Sequence, residues 1–288
     1  MSGGRAAPAA RMRPWWRVAA RAALALATLA LAELAHPAAA QDFTPAAPVP
    51  LAPAPLLALD RGLPSERANG EIATAAARLY GLESLRFASA AVARGVGPMR
   101  LALGAAGCGD AEIGWNAVAV SCGWAISDAG VALRSAARRD RLATSAGDAE
   151  APLQTAPAPR RDGFEAGAGA WVRVSAGVRL WVADAQLVTA GAAPPLARGL
   201  ESGASWTRPQ LVAWMSREAA PRGVGPEAHR LGVAIPLAQG DVWLEARDAP
   251  LRVSGGCRVR TRGLAIAASV ETHPELGETV RLEIATSR

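Results

Sequence analysis

The sequence predicts an all-β fold with antiparallel strands, and three observations lead to that prediction. Apolar and polar residues alternate with a period of two over stretches of about ten residues, as in 251–261 and 278–288. Turn residues separate these stretches at regular spacing. Glycines interrupt them too often for an amphipathic helix, in which each glycine costs about 1 kcal/mol relative to alanine. We therefore expect about twelve strands, within a range of about 10–14, between residue 85 and the end of the chain.

The composition supports a substantial core and does not favour nucleic-acid binding. The chain has 288 residues, and its hydrophobic fraction of 51% is enough for one domain or at most two. All of its basic charge is arginine. Residues 1–40 contain five Arg and one Glu, which is +4 of the total net charge of +6, so the rest of the chain is near +2. We expect no nucleic-acid partner from so small a charge.

The N-terminal segment has the three-part layout of a secretory signal peptide. A basic stretch precedes an apolar run from Ala22 to Ala32, and small residues follow at Ala38 and Ala40. The apolar run is shorter than the roughly 20 residues that a spanning helix needs. We expect cleavage after Ala40 and export to the outer membrane, with the periplasm as the alternative location.

The next segment, residues 41–69, is rich in proline and alanine. Six prolines lie between residues 41 and 64, and they predict an extended, poorly ordered lead-in. Alanine spacing predicts a short helix over about 70–79, ended by Gly81. We expect residues 70–288 to form the main domain, with the N-terminal helix or segment as a plug or cap.

Strand length favours an up-and-down barrel over a sandwich. The clearest strands are about nine to eleven residues long, which suits membrane-spanning strands. The longer connections are 141–163, 189–203 and 217–228. If connections alternate between two ends, the first two share an end and the third lies opposite. Pairing of a first strand near 85–93 with a last strand near 278–286 would close a barrel, whereas two packed sheets would make a sandwich.

The stretch "LRVSGGCRVRTRG" at 251–263 has one apolar and one basic side. In a barrel, the apolar side faces lipid and the basic side faces the lumen; on an ordinary sheet, the basic side faces water. The barrel alternative makes six residues candidates for lining the lumen or contacting a ligand, with the two glutamates neutralising the arginines: Arg252, Arg258, Arg260, Arg262, Glu245 and Glu283.

Tryptophans and cysteines leave alternatives open. Tryptophan is typical of membrane interfaces, where it forms belts, and it also fills protein cores. Both interpretations are open for the tryptophans at 115, 124, 171, 181, 206, 214 and 243. A Cys108–Cys122 bridge is compatible with neighbouring strands, and three free thiols including Cys257 are the alternative.

Motifs of catalysis are absent from the sequence. It has no G-x-S-x-G, P-loop or complete G-x-G-x-x-G motif. His229 and His273 lie beside loops and lack partners with metal spacing, so that a structural or surface role is favoured. We expect no enzyme, no metal and no cofactor, and an exported hydrolase has the least support.

Three segments resemble those of small bacterial outer-membrane barrels of the FadL and PorV/PorQ type. They are "RLYGLESLR" (78–86), "GDAEIGWNAVAVSCGWA" (109–125) and "THPELGETVRLEIA" (272–285). In that type a Gly-Leu-x-x-Leu-Arg stretch opens the barrel, and a His-Pro-x-Leu-Gly turn precedes the last strand. The resemblance covers roughly 70–288 and implies an outer-membrane β-barrel.

These observations together predict a non-enzymatic outer-membrane barrel. We expect it to pass or bind small molecules, including apolar ones, or to support a surface-export system. Its partners would be outer-membrane lipid and either a small-molecule ligand or a secretion-system component. The alternative is a soluble exported β-sandwich that binds carbohydrate or protein.

Overall fold

The strands form one closed antiparallel sheet. A computed structural model describes residues 48–66, 70–82, 85–109, 114–141, 160–193, 199–219, 227–274 and 276–287. In these residues fourteen strands pair in chain order, and the first pairs with the last. The all-β barrel prediction is therefore confirmed, and the sandwich alternative is wrong. The predicted signal peptide at 1–40 lies outside the described residues, as does 41–47.

The helical elements are the α-helix α1, Ala54–Arg61, and a 3-10 turn, Leu79–Gly81. The strands are β1 Glu71–Arg78, β2 Arg86–Val96, β3 Met99–Gly109, β4 Gly114–Ile126, β5 Ala129–Arg141, β6 Arg160–Ser175, β7 Val178–Gly191, β8 Glu201–Arg208, β9 Leu211–Glu218, β10 Ala228–Leu237, β11 Gly240–Asp248, β12 Leu251–Thr261, β13 Leu264–His273 and β14 Gly277–Ser287. No helix in the described part of the chain is long and apolar enough to cross a membrane.

The barrel has fourteen strands, so the expectation of about twelve is too low. The first strand is β1, where the sequence predicted a helix over 70–79. Its "EIATAAAR" register places Glu71 opposite Ser287 and Arg78 opposite Val280 of β14, so the barrel closes here and not through 85–93. Alanine is a helix former by propensity, but pairing with two neighbouring strands overrides that preference.

The connections differ in length between the two ends of the barrel. At the end that carries Glu71 and Ser287, which we call the turn end, each connection has two residues: 97–98, 127–128, 176–177, 209–210, 238–239 and 262–263. The opposite end, which we call the loop end, carries the longer connections, including 142–159, 192–200 and 219–227, and one two-residue connection, 249–250. The expectation that 217–228 lies opposite the other long loops is therefore wrong. Residues 201–218 form two strands, β8 and β9. Because successive connections alternate between the two ends, an error of one strand in this region moves every later loop to the opposite end.

Side chains alternate between an apolar outside and a mixed inside. Large apolar residues remain exposed on the outer surface, among them Leu103, Leu133, Met215, Leu231, Leu244, Leu251 and Val280. Arginine, glutamate and aspartate residues are buried inside the barrel, among them Arg134, Arg138, Glu165, Glu218, Arg230 and Glu245. This distribution is the reverse of a soluble protein, whose charges face water.

Residues 48–66, which we call the plug, lie inside the barrel. The prolines predict an extended lead-in here, but α1 begins after Pro53 and ends at Gly62, whose φ of 66° suits glycine. The largest fully buried side chains of the described residues are Leu63, Pro55 and Pro64, all in the plug. Helix α1 contacts β1 to β7, and these contacts order a segment that its own composition would leave extended.

Glycines in the wall make room for the plug. A Cβ built on Gly169 of β6 would lie 2.5 Å from the backbone oxygen of Gly62. A Cβ built on Gly104 of β3 would lie 2.4 Å from a methyl carbon of Leu59. A larger residue at Gly169 would force the plug backbone away from the wall, whereas one at Gly104 would first require the Leu59 side chain to move.

Candidate functional site

A layer of tryptophans surrounds the plug near the turn end. Four inward tryptophans lie three or four positions from the turn-end residue of their strands β6, β7, β9 and β11: Trp171, Trp181, Trp214 and Trp243. They form one apolar cluster with plug residues Val49, Leu51, Leu57 and Leu63. Aromatic rings bury a large area each, so this layer stabilises the plug by apolar contact.

The remaining tryptophans decide between the two interpretations made from the sequence. Trp115 is buried, with its ring 6.1 Å from that of Phe87 and under the guanidinium of Arg138. Trp124 and Trp206 face outward and are 53% and 41% exposed. Both lie two positions from the turn end. An interface belt therefore suits these two, whereas the other five lie inside the barrel.

Polar wall residues hold the plug through its backbone. Arg134 Nε donates to the backbone oxygen of Leu59 at 2.7 Å, and Trp171 Nε1 donates to that of Pro64 at 3.0 Å. Arg100 Nε donates to the backbone oxygen of Ser65 at 3.2 Å. Plug carbonyls that the interior would otherwise leave unsatisfied thus have partners.

Two buried ion pairs complete this attachment. Arg61, at the end of α1, donates to the carboxylate of Glu201 on β8. Arg134 Nη2 lies 2.7 Å from Glu165 Oε1 on β6, and its Nη1 donates to the backbone oxygen of Ala185. Each guanidinium is 3% exposed, so removal of one partner would leave a buried charge.

A charged layer lies between the tryptophans and the loop end. Glu218 on β9 accepts from Arg230 at 3.1 Å and lies 3.7 Å from Arg247. Glu245 on β11 accepts from Arg230 at 3.2 Å and from Trp214 Nε1 at 2.7 Å. The charges therefore form a connected network, as burial requires.

The predicted site residues are only partly brought together. Arg252, Arg258 and Arg260 share the inward side of β12. Arg252 pairs with Glu271 on β13 at 3.1 Å, whereas Arg258 and Arg260 contact Asp241 on β11. Arg258 also donates to the backbone oxygen of Leu51 in the plug.

The other three predicted residues lie apart from this group. Arg262 lies in the exposed turn at 262–263 beyond the end of β12. Glu245 faces inward and belongs to the Arg230 network, and Glu283 on β14 pairs with Arg281 at 2.5 Å. Glu245 and Glu283, which we expected to neutralise the arginines of β12, thus form ion pairs with Arg230 and Arg281. A ligand role for the six residues stays a prediction.

Sequence reasoning missed the residues that hold the plug, among them Arg61, Arg134, Glu165 and Glu201. Arg134 lies in "AGVALRSAARRDR", where alternation already places Arg134, Arg138 and Asp140 on one face. That signal could have identified a charged inward face on β5. The identity of the plug contacts needed the fold.

Small cavities adjoin the plug. One of about 30 Å³ lies among Leu51, Trp243, Arg258, Arg281 and Glu283, with room for about two waters. Another of about 10 Å³ lies near Ala58, Pro64 and Arg100. In the described residues, no group of three or more His, Cys, Asp or Glu side chains could hold a metal ion.

The three cysteines are free thiols. Cys108 and Cys122 lie on the neighbouring strands β3 and β4, but Cys108 pairs with Trp115 and Cys122 pairs with Leu101. Cys108 is buried and Cys122 is exposed on the outer surface. Residues on opposite faces of a sheet and seven positions apart cannot form a disulfide, so the bridge alternative is wrong.

Outward charges lie at the loop end. Arg217 donates at 2.8 Å to Glu227, in the connection after β9, and this hydrogen bond lowers the pKa of Glu227. His229 Nδ1 lies 2.9 Å from Asp248 at the ends of β10 and β11. His273 packs its ring edge-on against Tyr80, with ring centroids 5.7 Å apart. Both predicted histidines thus take part in local contacts at the loop end.

Comparisons with known proteins match the barrel but no family. No protein-family model and no curated protein matches the chain. The CymD monoaromatic hydrocarbon channel is 10% identical, with a TM-score of 0.50 over 77% of this chain and 88% of that chain. The outer membrane protein Omp33 of Acinetobacter baumannii is 9% identical, with a TM-score of 0.45 over 77% and 99%. A Rhodopseudomonas blastica porin mutant is 9% identical, with a TM-score of 0.40 over 76% and 99%. The likeness to CymD concerns the fold, a closed antiparallel barrel.

Proposed function

We propose that the chain is a non-enzymatic outer-membrane β-barrel through which small molecules pass when the plug is displaced. The observation that carries this proposal is the reversed distribution of polarity: leucines face out and paired charges face in. In lipid, a closed barrel satisfies every strand hydrogen bond, whereas an apolar exterior in water would aggregate. Two-residue turns throughout one end and mostly longer connections at the other are typical of exported barrels.

The substrate class follows from the layer around the plug. Leu51, Leu57 and Leu63 occupy the space between inward tryptophans. When the plug moves, that space offers aromatic rings to small apolar molecules, and the charged network nearer the loop end offers contacts to polar groups. CymD, whose barrel this chain resembles in fold, is named a monoaromatic hydrocarbon channel, and an apolar substrate of that kind would suit the tryptophan layer.

The narrower resemblance to the FadL and PorV/PorQ type stays a proposal. The turn from His273 to Gly277 directly precedes β14, as that type requires. The Gly81–Leu82 stretch, by contrast, follows β1 and does not open the barrel. A role in surface export remains a prediction with no structural observation in its favour.

Fractionation tests the location. We expect the protein in the outer membrane, extractable only with detergent, with migration on gels that changes on heating. Recovery in the soluble periplasm without detergent would contradict the proposal.

Ligand binding tests the function. The Trp124→Phe/Trp206→Phe variant removes the two outward tryptophans of the described residues. The remaining tryptophans of these residues face inward, so their fluorescence reports on the interior of the barrel. Nitrobenzene, a small aromatic quencher, should quench this fluorescence at lower concentration when the plug is loosened by Arg134→Ala. Equal quenching with and without Arg134→Ala would contradict access through the plug.

A further inference from the structure

Two arginines lie directly opposite each other on the outer surface at the loop end. Arg141 of β5 pairs in register with Arg160 of β6, and Arg139 pairs with Asp162 one step nearer the middle of the barrel. Opposite residues of an antiparallel pair share a face. That face is the outer one, because Phe164 on it is 45% exposed whereas Arg138 is buried. We propose that Arg141 and Arg160 bind the phosphate of a lipid headgroup in the outer leaflet.

The nearby carboxylate is already engaged. Asp162 accepts hydrogen bonds from Arg139 Nε at 2.7 Å and from its Nη2 at 3.4 Å. Arg160, on the same face, also attracts this carboxylate. Three arginines and one aspartate leave this patch with a net charge of +2, from Arg139, Arg141, Arg160 and Asp162.

Inside the barrel, facing arginines share a carboxylate. Arg173 and Arg179 pair across β6 and β7, and both contact Glu66 of the plug, at 2.9 and 3.0 Å. Facing arginines without an anion between them repel each other. In the residues that the structure describes, no carboxylate forms an ion pair with Arg141 or Arg160. The outer pair shares this cross-strand register, and in our proposal its anion comes from outside the described protein.

The second inner pair shows the same arrangement. Arg230 and Arg247 pair across β10 and β11, and Glu218 lies 3.1 and 3.7 Å from them. Two cross-strand arginine pairs thus have a carboxylate between them, whereas Arg247 and Arg252, which pair across β11 and β12, each contact a different glutamate.

The surroundings assign the anion to a lipid. Below the arginines, the outer surface continues with Phe164, Leu133 and Val131, which are 45%, 66% and 53% exposed. Acyl chains cover such a surface while the headgroup phosphate reaches the arginines, as is typical of basic residues at a membrane interface. This inference rests on the proposed outer-membrane location, and it further assigns the loop end to the leaflet with the phosphorylated lipid.

Lipid titration of the detergent-purified full chain tests the site, with bound lipid counted by native mass spectrometry. The probes are diphosphoryl lipid A and the same lipid with its phosphates removed. Each arginine at an interface contributes about fivefold in binding. Arg141→Gln/Arg160→Gln should therefore weaken binding of diphosphoryl lipid A about 30-fold. Binding of the dephosphorylated lipid should not change.

Arg94→Gln/Arg208→Gln is the matched control. It also removes two outward arginines, but at the turn end, and it should retain wild-type affinity. Arg160→Gln alone changes an exposed residue and should weaken binding of diphosphoryl lipid A about fivefold. This single variant replaces the double variant as the test if the paired substitutions disturb barrel assembly. Inorganic phosphate at the lipid concentration should not displace the lipid, since it lacks acyl chains.

The outcomes separate the two proposals. Unchanged lipid affinity in Arg141→Gln/Arg160→Gln, or an equal loss in the control, overturns the phosphate site while the outer-membrane location stands. Displacement by inorganic phosphate overturns the assignment to lipid. Recovery of the wild-type protein in the soluble periplasm overturns both proposals.

Discussion

Arg134 Nε donates a hydrogen bond of 2.7 Å to the backbone oxygen of Leu59, which connects strand β5 to the plug helix. The same guanidinium pairs with Glu165 and donates to the backbone of Ala185. One buried side chain thus attaches the plug to three neighbouring strands. Arg134 is the wall residue from which we expect the largest effect on plug position.

Arg134→Ala should destabilise the barrel and loosen the plug. Glu165, which is 3% exposed, would remain buried without its cation, at a cost of about 3–5 kcal/mol. The temperature at which heat-modifiable gel migration changes should fall, and swelling of proteoliposomes in small solutes should accelerate. Arg217→Ala, which breaks an exposed ion pair, should change neither measurement appreciably.

A double variant separates stability from plug attachment. Arg134→Met/Glu165→Leu removes both charges, so most of the lost stability should return. The hydrogen bond to Leu59 is still absent, so solute entry should stay fast. If solute entry returns to the wild-type rate with stability, Arg134 does not hold the plug.

Tryptophan fluorescence should distinguish the two faces of the wall. Brominated lipid quenches rings that touch acyl chains, and only Trp124 and Trp206 among the described tryptophans are exposed on the outer surface. Trp124→Phe/Trp206→Phe should therefore abolish most of this quenching. Trp171→Phe should lower total fluorescence and leave the quenched part unchanged. Strong quenching in the double variant would place inner tryptophans against lipid and contradict the fold.

Arg258→Leu and Arg262→Leu form a matched pair within one sequence stretch. Arg258 donates to the backbone oxygen of Leu51, and its loss would free the start of the plug and leave Asp241 with fewer cations. Proteoliposome swelling should accelerate in Arg258→Leu. Arg262 lies in an exposed turn, so Arg262→Leu should behave as wild type. Equal effects of the two substitutions would contradict a specific role of Arg258.

The alternation of β12 could be predicted from the sequence, but its ion pairs could not. Arginine and valine differ strongly in polarity, so the two faces of "LRVSGGCRVRT" are distinct. The partner of Arg252 depends on competing contacts. Glu245 on β11 and Glu271 on β13 both lie opposite Ser254, but Glu245 is bound by Arg230, and Arg252 pairs with Glu271. Strand β1 shows the opposite limit, because its inward face is mostly alanine and its outward face mixes apolar and polar residues, so that the two faces give little periodic contrast.

The sequence predicted that an N-terminal segment plugs or caps the barrel, but it did not predict the helix or the contacts of this plug. Six prolines favour an extended chain in isolation. The helix Ala54–Arg61 forms because the tryptophan layer and Arg134 surround it, and these contacts come from strands distant in sequence. Tertiary contacts of this kind override local preference, and no local pattern in the plug reveals them.

The lengths of the connections predict how the barrel is oriented. Exported barrels place two-residue turns toward the periplasm and longer loops outside the cell. A peptide tag inserted at Glu150, within the 142–159 connection, should be labelled by antibody on intact cells. The same tag inserted between Ser127 and Asp128, in a two-residue turn, should be labelled only after the outer membrane is opened. Both tagged proteins must show heat-modifiable migration, so that each reports on an assembled barrel. Labelling of the Ser127 tag on intact cells would reverse the orientation, and with it the leaflet that faces Arg141 and Arg160.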